Sequence, residues 1–273
     1  MRELRTELTL SEQRKTYSKY FYQPLAAPNL ELMEILGQGP MDPAKALMPE
    51  NINELLKPGY HEVENGYCIL PNGAAYVAVN NKFPGATVEM INWWFAWHAL
   101  EDMRYMLWFR KGHYGISISD EDRAIILDPA TPILQKFQGR THYVIEDTGT
   151  GPEDIQISFL TPEELGFDMT GFKSPVVATV VGANGISQLR SGGPKAPAIM
   201  THFVREIPRG VEFRSRFWMG YHMVDKKPVK LIPGGIQIPI QAAKGLAFHN
   251  VEEYSNLAVI LPNLYKEMEG RIE

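Results

Sequence analysis

Residues 211–219 read VEFRSRFWM, and charged side chains occupy every second position over the first part of this stretch. The valine and the phenylalanines share one parity, whereas the glutamate and the two arginines share the other. A period of two is typical of a β-strand that buries one of its faces. We interpret Arg214 and Arg216 as scaffold or surface charges rather than as catalysts.

Other short apolar runs precede this strand along the chain, and turn-forming residues separate them. Pro71-Asn72-Gly73 predicts a hairpin turn between the first two of these runs. The predicted strands cover residues 62–70, 74–79, 143–145, 155–160, 176–181, 198–206 and, more weakly, 229–232.

Two long helices accompany the predicted strands. One, rich in Trp and Met, should cover residues 87–107, and the other should cover residues 244–268 with a kink at Pro262. The resulting order of helical region, hairpin, helix, antiparallel strands and terminal helix is an α+β pattern. A curved sheet that grips the terminal helix would enclose a cavity for an apolar or aromatic small molecule.

The first 60 residues differ from the rest because they are polar and interrupted by proline. Short helices are expected after Ser11 as N-cap, over residues 29–36 and over residues 50–56. We therefore predict a small helical appendage, residues 1–60, that packs on a main domain of residues 61–273.

Composition restricts the class of protein. The 273 residues carry a formal net charge of −5 without a basic block, which argues against nucleic acid and anionic membranes as partners. Cys68 is the sole cysteine, so neither an intramolecular disulfide nor a cysteine zinc site is possible, and a buried position is expected. The sequence shows no secretion signal and no membrane span, so we expect a cytoplasmic protein.

A candidate metal site begins with His249 and Glu253. Residues four apart share one face of a helix, so this histidine and this carboxylate can point together and share a zinc ion. Such a pair is more often solvated, and Glu252 offers a second spacing to His249. Two further ligands can be sought in His113, which follows the aromatic helix, and in Glu146, which follows an apolar run. A solvent-exposed turn residue is the plainer interpretation of Glu146.

Four motifs occur in a fixed order along the chain. They are Tyr105-x-x-Trp108-x-x-x-x-His113, Glu146 three residues before Gly149, Arg214-Ser215-Arg216-Phe217-Trp218-Met219-Gly220, and His249-x-x-x-Glu253. Over residues 60–273 this set resembles the 2,4-diacetylphloroglucinol hydrolase and phloretin hydrolase family. The resemblance implies a Bet v 1-like helix-grip domain, a small N-terminal helical domain and a homodimer. It also implies a zinc ion held by His113, Glu146, His249 and Glu253.

The same resemblance implies which residues contact the substrate. Tyr105 and His202 would hold the phenolic oxygens and act in catalysis, and Tyr221 and His98 are weaker candidates. Each of them is otherwise an ordinary core or packed residue. Arg110 stands where the family usually has proline, so the loop before His113 can differ and alter substrate preference.

The resemblance implies a zinc-dependent hydrolase that cleaves the carbon–carbon bond between an acyl group and a phloroglucinol-type ring. Its small-molecule substrate would be an acylated polyphenol. The chain lacks a Gly-x-Ser-x-Gly elbow, and residues 181–185 lack the setting of a dinucleotide fingerprint. Two alternatives stay open: a non-catalytic helix-grip carrier of phenolic ligands, and a zinc enzyme of another class, such as a decarboxylase or cyclase.

Overall fold

One large antiparallel sheet organises the protein. The computed structural model describes residues 5–173 and 175–272, and the sheet has eight strands in the order β1-β2-β8-β7-β6-β5-β4-β3, each antiparallel to its neighbours. These strands are β1 Gly66–Ile69, β2 Ala75–Pro84, β3 His113–Ser117, β4 Thr141–Asp147, β5 Pro152–Leu160, β6 Thr179–Leu189, β7 Ala196–Ile207 and β8 Gly210–Met219. A separate hairpin consists of β9 Tyr221–Val224 and β10 Lys227–Lys230.

The helices flank this sheet, and the longest of them ends the chain. The α-helices are α1 Leu10–Gln13, α2 Lys19–Tyr22, α3 Leu30–Gly37, α4 Val88–Trp97, α5 Asp102–Phe109, α6 Asp120–Leu127 and α7 Ile240–Glu267. Short 3-10 helices cover Pro43–Lys45, Pro49–Leu56, His98–Leu100 and Ile133–Lys136. Within the described residues, none of these helices is both long and apolar enough to cross a membrane.

The predicted α+β pattern, with a large antiparallel sheet and a C-terminal helix, is confirmed. Helix α7 packs against β1 and β2, and an inner cavity of about 580 Å³ lies between this helix and the face of strands β4 to β8. Alternate residues of β7, Ala198, Met200 and His202, line that cavity, as expected for one face of a strand. The helix starts four residues earlier than predicted and continues through Pro262.

The N-terminal region has no separate hydrophobic core among the described residues. Its buried residues lie in three core clusters, each of which is shared with the main body. Tyr17 and Phe21 pack with the aromatic residues of α4 and α5, Ile52 packs with β1 and β2, and Leu36 packs with β2 and α7. These residues therefore depend on the main body for their burial, and the helical appendage of residues 1–60 stays a prediction.

The single helix predicted over residues 87–107 is wrong, because the chain breaks at Glu101. This residue has extended dihedral angles, φ −154° and ψ 142°. Its carboxylate accepts a hydrogen bond from the Tyr17 hydroxyl at 3.0 Å and pairs with Lys15. The next residue, Asp102, accepts from the Ile116 amide at 2.7 Å. Contacts with distant parts of the chain therefore stabilise the break, and no local pattern reports them.

Strand β6 also differs from prediction, since it runs to Leu189 rather than ending at Val181. Gly182 suggests a turn by composition, but here it lies inside the strand. A Cβ on Gly182 would lie 2.4 Å from Leu165 Cδ1 and 2.9 Å from the Met200 oxygen. The glycine thus permits residues near Leu165 to pack directly on the sheet.

Two helix starts and two strands, β3 and β9, were misplaced or missed. The N-cap of α1 is Thr9 rather than Ser11, since its hydroxyl accepts from the Glu12 amide in a capping box. Helix α6 has an ordinary N-cap in Ser119, which accepts from the Asp122 amide at 3.0 Å, yet the helix was not predicted. Strand β3 was missed as well, because its five residues carry no clear alternation.

Arg214 and Arg216 are scaffold residues, and they are fully buried rather than at the surface. Both donate to the carboxylate of Glu64 at 2.7 Å. Burial raises the pKa of Glu64, but the two guanidinium groups outweigh it and lower that pKa to about 2. The ion pairs join the segment before β1 to the middle of the sheet.

Candidate metal centre and cavity

The four predicted metal ligands converge at one end of the inner cavity. His113 begins β3, and its direct cross-strand partner is Glu146 of β4. His249 and Glu253 lie one turn apart on α7, which faces the same end of the sheet. All four are buried, and one ligand atom from each lies within 4.8 Å of all the others. The group can therefore hold a metal ion.

The two histidines present free nitrogens to the two carboxylates. His113 Nε2 lies 3.4 Å from Glu253 Oε2 and 3.9 Å from Glu146 Oε1, and His249 Nε2 lies 2.8 Å from Glu146 Oε1. Despite these approaches, neither Nε2 atom has a hydrogen-bond partner of acceptable geometry among the described residues. Buried polar atoms without partners are rare in native proteins. A cation between the four groups would satisfy both nitrogens.

The chemistry of the donor set fits zinc. Two imidazoles and two carboxylates are ligand types that zinc accepts, and four is its usual coordination number. Without a cation, burial lowers the pKa of His249, yet the carboxylates of Glu253 and Glu146 outweigh burial and raise it to about 9. The carboxylates thus favour positive charge beside them, whereas burial is the main cause that raises the pKa of Glu253.

Outer contacts orient the candidate ligands. His113 Nδ1–H donates to the Tyr105 carbonyl oxygen at 3.2 Å, which leaves Nε2 free to bind a metal. The Tyr105 hydroxyl donates to Glu146, and the Asn250 amide lies 3.5 Å from Glu253 Oε1. Contacts of this kind fix the tautomer and the orientation of metal ligands.

Glycines allow the elements that carry the ligands to approach closely. A Cβ on Gly112 would lie 3.0 Å from His249 Cε1. A Cβ on Gly245, one turn before His249, would lie 2.7 Å from the Thr148 oxygen in the turn after Glu146. The β4–β5 turn therefore rests directly on the backbone of α7, and this contact sets the spacing between Glu146 and the helix.

The structure brings both principal candidates for substrate contact, Tyr105 and His202, to the inner cavity. His202 Nε2 shares a hydrogen bond with the Tyr254 hydroxyl at 2.9 Å, and its Nδ1 shares one with Ser215 Oγ at 2.8 Å. Burial lowers the pKa of His202 to about 3, so this imidazole is neutral near pH 7. Sequence reasoning missed Tyr254, although it directly follows the candidate ligand Glu253.

Tyr221 lies elsewhere. Its side chain belongs to a core cluster with Leu70 and Trp218 and is not among the described residues that line the cavity. Its hydroxyl accepts from the Asn72 amide at 2.6 Å. The role of Tyr221 in substrate binding is therefore not supported by its position.

Two further histidines, His98 and His142, line the cavity. His98 was predicted from the sequence as a weaker candidate, whereas His142 was not predicted. A signal for His142 existed, because it lies four residues before Glu146 in a strand, and such residues share one face. Burial lowers the pKa of His98 to about 3 and places the pKa of His142 well below its usual value.

Comparisons with known proteins identify a family and several relatives. The family model described as the DAPG hydrolase PhiG domain matches residues 47–266. The chain is 37% identical over 259 residues to a phloretin hydrolase of Eubacterium ramulus, which covers 94% of this chain and 91% of the relative. It is 31% identical over 265 residues to a 2,4-diacetylphloroglucinol hydrolase of Pseudomonas protegens, which covers 93% of this chain and 84% of the relative. A second protein of that name, from a Pseudomonas species, is also 31% identical, with 93% and 88% covered.

Proposed function

The chain belongs to the DAPG hydrolase family, and on this premise we propose that it is a zinc-dependent hydrolase of acylated phloroglucinol-type rings. The reaction would break the bond between the acyl carbon and the ring carbon. Water would supply a hydroxyl group to the acyl carbon and a proton to the ring carbon. The products would be a carboxylic acid and the free polyphenol.

The observation that carries this proposal is the buried group of His113, Glu146, His249 and Glu253 at one end of a cavity lined largely by apolar side chains. When bound there, zinc would supply Lewis-acid chemistry, which polarises a carbonyl oxygen and makes water a stronger nucleophile near pH 7. A surface ion pair would not need four buried ligand atoms that converge on one point.

The residues beside this group can hold the ring. Tyr105, His202 and Tyr254 face the cavity, and burial raises the pKa of both tyrosines well above its usual value. Both tyrosines are therefore neutral donors near pH 7. A phloroglucinol-type ring can tautomerise so that the acyl carbonyl becomes part of a β-diketone. Hydrogen bonds to the ring oxygens would favour that tautomer and would strengthen as negative charge moves onto the ring.

The apolar wall of the cavity suits the acyl group. Ile155, Ile157 and Leu189 from β5 and β6 lie on one side, and Ile236 and Ile238 lie in the loop before α7. These side chains offer contact area without polar groups, as is usual for small-molecule sites. The cavity volume of about 580 Å³ admits either an acetyl group or a longer arylalkanoyl group.

The experiment has two parts, metal content and product identity. Protein purified without added chelator should contain one zinc per chain, and acylphloroglucinols should yield the carboxylic acid and the free phenol in equal amounts. Protein that binds these ketones tightly without zinc and without turnover would instead be a carrier. Release of carbon dioxide or ring closure would identify a zinc enzyme of another class.

Four further assignments belong to this proposal. We place the protein in the cytoplasm, as a homodimer, with a Bet v 1-like helix-grip domain and a domain boundary near residue 60. The gripping sheet and α7 support the fold, and the buried, unpaired Cys68 agrees with a reducing compartment. Light scattering of the purified protein tests the dimer directly.

A further inference from the structure

His142 is a buried polar residue with no internal partner. Its side chain is 1% exposed, and its Nε2 atom is fully enclosed. Within residues 5–173 and 175–272, this Nε2 atom has no hydrogen-bond partner. A neutral imidazole has one donor and one acceptor, and whichever of the two lies at Nε2 is unsatisfied here. Leaving such groups unpaired destabilises a protein, and their presence needs an explanation.

His98 lies beside it and is only partly satisfied. The two rings are 5.5 Å apart and inclined by 81°. His98 Nδ1–H donates to the Trp94 carbonyl oxygen at 2.7 Å, which leaves Nε2 as an acceptor. That acceptor has no partner in the described part of the chain. The Nε2 atoms of His142 and His98 therefore both lack a partner among the described residues, and both residues line the cavity.

The walls around the pair are aromatic. The Phe159 ring lies 4.7 Å from His142, and the Phe95 ring lies 5.6 Å from His98. His98 also lies 6.0 Å from the ring of Tyr105, which separates the pair from the candidate ligand His113. At about 3.3 Å per residue, His142 is about 13 Å along β4 from Glu146. The pair thus forms a second polar spot beyond the metal end.

We propose that His142 and His98 form a subsite that binds a phenolic hydroxyl group of the substrate. Because the Phe95 and Phe159 rings contact each other at 6.2 Å, an aromatic ring would lie against these phenylalanines, and its hydroxyl would donate to or accept from the imidazoles. A neutral imidazole can serve either an enol hydroxyl or a keto oxygen, so it can hold both tautomers of a polyhydroxylated ring. This inference rests on the proposed function for its substrate class.

Two parts of an acylated polyphenol carry such a hydroxyl: the phloroglucinol-type ring, and the far end of an arylpropionyl group. Two probe pairs separate these sources. Phloroglucinol is compared with resorcinol, which lacks one hydroxyl, and 3-(4-hydroxyphenyl)propionate is compared with 3-phenylpropionate. Each pair differs in a single hydroxyl, and none of the four compounds requires turnover.

The experiment measures binding by calorimetry to wild type, to His142→Phe and to the control His61→Phe. His61 also has an unpartnered Nε2 atom, but it does not line the cavity. In wild type and His61→Phe, the hydroxylated member of one pair should bind about tenfold more tightly than its partner. In His142→Phe that preference should vanish, and the melting temperature should not fall. The probe pair that shows this difference in affinity identifies the source of the hydroxyl.

A second measurement does not depend on a folded variant at residue 142. In protein labelled with nitrogen-15 at histidine, the side-chain signals of His142 should shift when the hydroxylated probe binds. Unchanged signals at saturation, or an unchanged preference in His142→Phe, would overturn the subsite. Because neither measurement requires turnover, the two proposals can fail separately. An unchanged preference would overturn the subsite without bearing on zinc content or hydrolysis, whereas absent hydrolysis would leave the binding results standing.

Discussion

The ring of Tyr105 lies flat on the ring of His113, with 4.1 Å between the centroids and 6° between the planes. The same tyrosine accepts the His113 Nδ1–H on its carbonyl oxygen and donates its hydroxyl to Glu146. A single residue therefore orients two candidate metal ligands from two strands. Its role combines ligand support with substrate contact.

Tyr105→Phe should consequently weaken both catalysis and metal binding. We expect turnover to fall about 100–1,000-fold, because removing a hydrogen-bond donor to a developing charge raises the barrier by about 2.7–4 kcal/mol. Zinc affinity should fall about 10–100-fold, as is typical when an outer contact to a ligand is lost. Sequence reasoning expects zinc to stay bound because Tyr105 is not a ligand, whereas the hydroxyl contact to Glu146 predicts this weaker site. Competition with a chelator of known affinity measures the difference, and unchanged zinc affinity would contradict the supporting role.

Glu253 and Glu252 offer a matched pair of carboxylates on α7. Only Glu253 belongs to the group of converging ligand atoms. Glu253→Gln should lower zinc affinity by at least about 100-fold, beyond the usual effect of outer contacts. Its metal-free form should unfold no more easily than wild type, because burial already disfavours the charged Glu253. In the control Glu252→Gln, added zinc should raise the melting temperature as it does in wild type. An equal loss of zinc affinity in both variants would remove Glu253 from the site.

His202 and Tyr254 should act as a unit, since one hydrogen bond of 2.9 Å joins them. His202→Ala and Tyr254→Phe should each lower turnover about 100–1,000-fold while zinc stays bound. The double variant should lose less than the product of the two single effects, because neighbours in one network are not additive. Turnover, zinc content and melting temperature should be measured on the same preparations. Normal turnover in folded His202→Ala would remove this residue from the site.

Local geometry explains which parts of the site the sequence can predict. His249 and Glu253 are placed by the helical repeat alone, and the structure keeps them on one face of α7. The contact between His113 and Glu146 depends on the pairing of β3 with β4, and β3 was not predicted. Only the resemblance to known hydrolases linked these two residues to the helix.

Long-range contacts explain what the sequence could not predict. The break at Glu101 depends on Lys15 and Tyr17, more than eighty positions away in the chain. The extension of β6 depends on the packing of Leu165 against Gly182, which no local rule for glycine anticipates. In each case tertiary contacts override a pattern that is correct on average.

The buried histidines should make the protein sensitive to mild acid. Folded His98 and His202 have pKa values of about 3, against about 6.5 for an unperturbed histidine, because burial disfavours their charged forms. The unfolded chain then binds more protons below pH 6.5, so stability is fully present above that pH and is lost as pH falls towards 3. Burial also lowers the pKa of His142, so its contribution to the pH dependence of stability has the same sign. Between pH 6.5 and 5, each of these groups should contribute up to about 1.4 kcal/mol per pH unit.

Urea unfolding at several pH values measures this slope. His142→Phe should reduce it by the contribution of one group, and both proteins should show little dependence from this source between pH 7 and 8. An equal slope in wild type and variant would show that folding does not lower the pKa of His142.

Gly245→Ala tests the contact that spaces Glu146 from α7. Alanine normally stabilises a helix interior by about 1 kcal/mol relative to glycine. Here the added Cβ would lie 2.7 Å from the Thr148 oxygen and 3.2 Å from Gly149 Cα, so the β4–β5 turn must move. Because Glu146 lies two residues before Thr148, we expect weaker zinc binding and lower turnover despite the better helix former. Gly37→Ala, at the end of α3, is the control, since its Cβ would have no neighbour within 4 Å. It should leave zinc content and turnover unchanged. If Gly245→Ala binds zinc as tightly as the control, the turn does not determine the position of Glu146, and the spacing of the site depends on β4 alone.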